Sequence, residues 1–141
     1  MKKKFILLIY LIFILLLSPV FAKNNNYPDM SFFKGTYNLI GKKLDSSETY
    51  YGKAKIEFIK SSFKMTRIIN KKTKIIYGKF NKDLPEGLSS LDFELTENGI
   101  KYLIRYQWYV DYDNYPVLSG FISYANEKTG EFGMEFLRTD Q

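Results

Sequence analysis

Thr49-Tyr50-Tyr51-Gly52-Lys53-Ala54-Lys55-Ile56-Glu57-Phe58-Ile59-Lys60 is the stretch on which the fold turns. Tyr50, Gly52, Ala54, Ile56 and Phe58 fall on one face, while Lys53, Lys55 and Glu57 fall on the other. A period of two places successive side chains on opposite faces, which is the pattern of a half-buried strand and not of a helix.

The same reading extends in both directions. Before it lies the run 33–40, ending at Gly41; after it come 62–69, 73–80, 90–96, 100–109, 117–124 and 131–138. Turn residues separate them: Asn70-Lys71-Lys72, a loop at 81–89 holding Asp83, Pro85 and Gly87, and Asn98-Gly99, a strong hairpin signal. The sixth run is apolar at Ile100, Tyr102, Ile104, Tyr106 and Trp108. No segment sustains a 3.6-residue apolar period, so no helix longer than two turns is expected after the N-terminal segment.

Every connection is short enough for an antiparallel hairpin. The fold class predicted is all-β, a single eight-stranded antiparallel up-and-down β-barrel over residues 33–141, because closure removes the two exposed edges of so long a meander. Gly35, Gly52, Gly78, Gly120 and Gly133 lie inside strands, where glycine marks bends or close approaches that a barrel needs.

The N-terminus reads as an address. Lys2, Lys3 and Lys4 precede thirteen unbroken apolar residues, Phe5 to Leu17; Ser18-Pro19 ends the run and Val20-Phe21-Ala22 offers a cleavage site. Residues 1–22 are expected to be a signal peptide helix removed on export. A spanning anchor, which needs about 20 apolar residues, is the rival reading. Residues 23–32, Asn-rich with Pro28, form a polar leader.

Without residues 1–22 the chain keeps 119 residues, enough for one core, and loses three of its 21 cations but none of its 15 anions. Net charge falls from +6 to +3, which argues against a nucleic-acid partner. There is no cysteine, no histidine and no Asn-x-Ser/Thr site. Lipid acylation, disulfides and thiol chemistry are excluded, and the commonest general base and metal ligand are missing. The expected location is the periplasm or exterior of a bacterium, the membrane being touched only through the signal segment before cleavage. No cofactor and no metal is expected.

Gly35-Thr36-Tyr37 with Gly41, Tyr50-Tyr51-Gly52 with Ile56, Tyr77-Gly78, Leu118-Ser119-Gly120 and Gly133-Met134-Glu135-Phe136-Leu137 together resemble small secreted calycin-type barrels of the avidin and lipocalin kind. More narrowly, the pattern is similar to a bacterial envelope family labelled fibronectin-binding. Ile122 stands where that pattern favours Trp. The resemblance implies a barrel and an adhesin-like surface function.

Two groups of residues carry chemistry. Arg67 shares the face of Phe63, Met65 and Ile69. In the eighth run an apolar phase would bury Phe132, Met134 and Phe136, whereas a glycine phase would bury Gly133, Glu135 and Leu137. In the glycine phase Arg67 and Glu135 both point inward and must pair, since a lone buried charge is costly. That pair is structural or a ligand anchor. The second group is the loop Tyr109-Val110-Asp111-Tyr112-Asp113-Asn114-Tyr115-Pro116, in which Tyr109, Asp111, Tyr112, Asp113 and Tyr115 are candidate partner contacts. An EF-hand reading fails, because Pro116 and Ile122 stand where Gly and Glu are required.

In a meander, the loops 81–89 and 110–116 share one end with the leader and are the expected mouth. The opposite end gathers Lys42, Lys43, Lys71, Lys72 and Lys128 and is a candidate contact for anionic lipid or glycan, or a plain solubility device. Tyr51, Tyr77, Tyr109 and Phe121 are expected to face outward; contiguous, they would mark a partner or self-association. Tyr37, Tyr50, Phe58, Phe63, Phe93, Tyr106 and Trp108 are expected to fill most of the interior. The function expected first is non-enzymatic binding of an extracellular protein or glycan through the surface or loops. The alternative is a lipocalin-like carrier of a small apolar ligand, for which an interior cavity would be the discriminating observation. A histidine-free isomerase or hydrolase using Glu135 and a tyrosine is a third reading.

Overall fold

The computed structural model describes residues 29–82, 84, 88–110, 116–126 and 132–139, with the backbone alone described at 109, 110 and 116. Residues 1–22 and most of the leader lie outside these. Eight strands follow one another: β1 (Gly35–Lys42), β2 (Thr49–Ile59), β3 (Ser62–Ile69), β4 (Lys72–Asn81), β5 (Ser90–Glu97), β6 (Ile100–Val110), β7 (Pro116–Tyr124) and β8 (Gly133–Thr139). Each pairs antiparallel with the next, and β8 returns to β1, closing the barrel. No edge is left unpaired.

The pleat sorts the side chains as the alternation requires. β1 buries Tyr37, Leu39 and Gly41, β3 buries Phe63, Met65 and Arg67, and β8 buries Gly133, Glu135 and Leu137. The glycine phase of β8 therefore holds, and Phe132, Met134 and Phe136 stand on the outside. Positive-φ residues sit at the tight turns: Lys60 between β2 and β3, Asn70 and Lys71 between β3 and β4, and Asn98-Gly99 between β5 and β6. Asn and Gly tolerate that conformation best, which is why they punctuate these hairpins.

The described residues before β1 are structured. Met30–Phe33 form a 3-10 helix, capped by Asp29, whose carboxylate accepts from the Ser31 N–H at 2.9 Å. The first strand accordingly starts at Gly35 and not at 33. Phe33 is fully buried, with its ring 5.2 Å from Trp108, 5.9 Å from Phe63 and 6.2 Å from Phe80. The Tyr37 hydroxyl donates to the Phe33 carbonyl at 2.8 Å. This aromatic plug stops the barrel end that carries the β2–β3 turn and the 82–89 connection. Phe58, expected inside, lies at the rim of that end, 39% exposed, and leans on Phe63. Trp108 is only half-buried, because it too is at the rim.

Candidate functional site

The middle of the barrel is polar by construction. One inward-facing row runs across five strands: Tyr50, Gly41, Glu135, Gly120 and Tyr106 are successive cross-strand neighbours on β2, β1, β8, β7 and β6. The two glycines flank Glu135. A Cβ on Gly41 would run into the Tyr50 ring, and one on Gly120 into the Tyr106 ring. The bare backbone lets both rings lie flat across their neighbour and bring their hydroxyls to the carboxylate.

Glu135 is saturated there. Tyr50 donates to Oε1, Tyr106 donates to Oε2, and the Arg67 Nη2 donates to Oε1 as an ion pair. Arg67 comes from β3, where Ala54 on β2 is its cross-strand neighbour and leaves it room to reach across the lumen. The Glu135 side chain is wholly buried and that of Arg67 is 5% exposed. Burial pushes the Tyr106 hydroxyl up to about 12, against the lowering effect of the Arg67 charge, and the Tyr50 hydroxyl is raised by the same cause. Both therefore remain proton donors at neutral pH. Arg67 Nε is buried with no hydrogen-bond partner.

Above this layer the barrel is hollow. A cavity of about 450 Å³ opens at the end formed by the β1–β2, β3–β4, β5–β6 and β7–β8 connections. Tyr50 and Arg67 form its floor, Ile69, Leu95, Tyr102 and Ile122 its walls, and Lys43, Asn70, Lys72, Lys74 and Tyr124 its mouth. The expected mouth at the 81–89 and 110–116 end is thus corrected. That end carries the plug, and the cavity opens at the lysine end. The expectation of a mostly filled lumen holds only for the lower half, where Phe33, Phe63 and Phe93 pack.

Charge at the mouth is uneven. Lys43 pairs with Glu48 and Lys74 with Glu97, both at 2.6 Å. Lys72 has no ion-pair partner among the described residues. With Arg67, the lining holds four cations against one anion, Glu97. The Tyr124 hydroxyl donates to Asp45 at 2.9 Å and ties the β1–β2 loop to the end of β7. The Tyr102 and Tyr124 rings lie 5.5 Å apart beside the opening. No three Asp or Glu side chains converge among the described residues.

A second polar cluster sits on the outer wall. Asp92 accepts from Arg105 Nε at 3.0 Å and Nη2 at 2.9 Å, from Ser90 Oγ at 2.7 Å and from Asn81 Nδ2 at 3.3 Å. Burial acts to raise its carboxyl, but the hydrogen bonds from Arg105, Ser90 and Asn81 outweigh it and hold the group below the usual carboxylate range. This fork-shaped pair fastens β5 to β6.

Of the residues expected to carry function, Arg67 and Glu135 meet in the lumen. Asp111, Tyr112, Asp113 and Tyr115 lie outside the described residues, and of Tyr109 only the backbone is described. Alternation in the sequence marks Tyr50 and Tyr106 as interior residues but does not link them to Glu135. The signal for that link was present in the Gly-bearing phase, because a glycine beside a buried carboxylate leaves space for a neighbouring ring. Comparison with protein-family models, with curated proteins and with solved structures returns no match.

Proposed function

We propose that this protein is a non-enzymatic binding barrel that takes one small amphipathic molecule into the open upper half of its lumen. The observation that carries the reading is a one-ended cavity of about 450 Å³ with the charged side chain of Arg67 at its floor. A carbonyl, hydroxyl or ether oxygen of a guest placed on the floor would meet the exposed part of that side chain. A second full negative charge is disfavoured there, since Glu135 already neutralises Arg67.

The walls supply an apolar sleeve through Ile69, Leu95 and Ile122, and the mouth supplies Lys72. A guest with a neutral acceptor at its inner end, an apolar body and an acidic outer end matches this order. Pockets for small molecules typically measure about 300–1,000 Å³, and this one falls in that range. An eight-stranded barrel is wide enough to hold one such molecule.

Glu135 supports binding more than catalysis. Both of its oxygens already accept hydrogen bonds and its side chain has no exposed surface. A general acid or base must reach the proton it moves. The carboxylate instead orients Arg67 and the two tyrosines.

Titration with an anionic, environment-sensitive amphipath, dansylaminoundecanoic acid, tests the reading. Saturable uptake at one molecule per chain is expected, and Leu95→Trp on β5 and Ile122→Trp on β7, which each fill the cavity from its wall, are expected to abolish it while circular dichroism stays unchanged. Uptake that survives both substitutions would place the guest elsewhere and overturn the reading. Binding through the 109–115 loop would instead respond to Tyr112→Ser and Tyr115→Ser.

A further inference from the structure

The outer wall carries a second feature that is independent of the cavity. Ile40 on β1 is the cross-strand neighbour of both Tyr51 on β2 and Phe136 on β8. Met134 follows on the same face of β8 and lies opposite Phe121 on β7, whose ring is 6.2 Å from that of Phe132. These six side chains are 43–66% exposed. They form one unbroken apolar band across four adjacent strands. Since a large side chain covers about 150–250 Å², half-exposure of six gives a patch of roughly 600 Å². Isolated exposed apolar residues need no explanation, but a continuous patch of this size marks an interaction surface.

Charge decides what it meets. On β1, β2, β7 and β8 the outward positions carry Lys42, Lys53, Lys55 and Arg138. The one acid among the described outward positions of these four strands is Glu57, at the plugged end, and Lys55 and Lys64 already pair with it. The carboxylates Asp92 and Glu94 are on β5, the strand diametrically opposite β1 in the closed order. The wall around β5 is mixed in charge, since Asp92 is paired with Arg105 and Lys79 and Lys101 flank it, so the basic excess lies beside the apolar band.

A second copy fits this poorly. A twofold contact sets the same patch against itself, and here it would crowd Lys42 and Arg138 of both copies round the band, where Glu57 is the one carboxylate at the described outward positions of these strands. An extended negative surface with an apolar interior fits well. Each basic residue near an anionic bilayer contributes about 1 kcal/mol, and aromatic side chains settle at the headgroup boundary. We infer that the β2–β1–β8–β7 wall docks on an anionic lipid bilayer, with Phe121, Phe132 and Phe136 entering the headgroup region and Lys42 and Arg138 meeting lipid phosphates.

The chain has no cysteine, so Phe121→Cys and Glu94→Cys each create one labelling site for the fluorophore NBD, on opposite sides of the barrel. The full-length protein is mixed with vesicles of phosphatidylcholine alone or with added phosphatidylglycerol. The label at position 121 is expected to brighten and shift to the blue with phosphatidylglycerol vesicles, while the label at 94 stays unchanged. Lys42→Glu with Arg138→Glu is expected to raise the lipid needed by at least about tenfold. An equal response at 121 and 94, as the N-terminal apolar segment alone would give, overturns the proposal. So does no response at 121, or an equal response to uncharged vesicles. A blue shift at 121 that grows with protein concentration and no lipid would assign the band to a second copy instead.

Discussion

Tyr106 donates its hydroxyl hydrogen to Glu135 Oε2 over the bare backbone of Gly120. Tyr50 mirrors it over Gly41 on the other side of the same carboxylate. The glycines are therefore part of the ion-pair site, since they set where the rings can lie.

Replacing either glycine tests that statement. Gly120→Ala forces a methyl group into the Tyr106 ring and is expected to cost about 1–3 kcal/mol, the usual range for overpacking. In a Tyr106→Leu background the same change should cost clearly less. Urea unfolding of the four proteins measures the difference, and equal costs in both backgrounds would remove the steric coupling.

The buried pair makes a second prediction. Glu135→Leu leaves Arg67 charged and enclosed, which is expected to cost about 3–5 kcal/mol. Arg67→Met in the same chain removes the stranded charge and should recover part of that loss, although the two tyrosine hydroxyls stay unpaired. The two single costs adding up in the double variant would show that the residues do not act as a pair.

At alkaline pH the tyrosines oppose folding. Tyr106, with its value pushed up to about 12, and Tyr37 and Tyr50, raised by the same burial, stay protonated in the native state after an unfolded tyrosine, near 10, has begun to ionise. The unfolded state then binds fewer protons, so stability falls as pH rises. The contribution of these groups is complete below about 10 and is lost as pH climbs from there through about 12. Absorbance at 295 nm should show a cooperative step coinciding with loss of the near-ultraviolet circular dichroism signal. Tyr106→Phe is expected to make the fall in stability with pH shallower.

Phe33 tests the plug. Phe33→Ala empties a fully buried site among Trp108, Phe63 and Phe80 and is expected to cost about 3–5 kcal/mol by chemical denaturation. A cost near zero would mean that the 3-10 helix is an accessory to the barrel and not one of its walls.

Most of the strand plan was legible because its signals are local. The alternation over residues 49–59, the Asn98-Gly99 turn and the interior glycines each depend on a few consecutive residues, and all eight strands lie within a few residues of their expected limits. The glycine phase of β8 could not be chosen locally, since Phe132, Met134 and Phe136 are more apolar than Gly133 and Glu135 and argue for the opposite phase. Closure against β1 and β7 decided it by setting Glu135 between two glycines. Phe33 looked like the first residue of a strand, and only its packing against Trp108 and Phe63 shows that it belongs to the plug.

The order of the chain by itself determined how many strands form, which neighbours they pair with and which face of most of them turns inward, because pleat and turn chemistry operate over two to four residues. Tertiary structure alone decided which end of the barrel is open, how Glu135 is satisfied and whether the outer apolar residues touch. Glu135 meets partners 29, 68 and 85 positions away, and Ile40, Phe121 and Phe136 adjoin only through the register of strands closed into a ring. Such contacts follow from the stagger at which the barrel shuts, a property of all eight strands together that no short stretch contains.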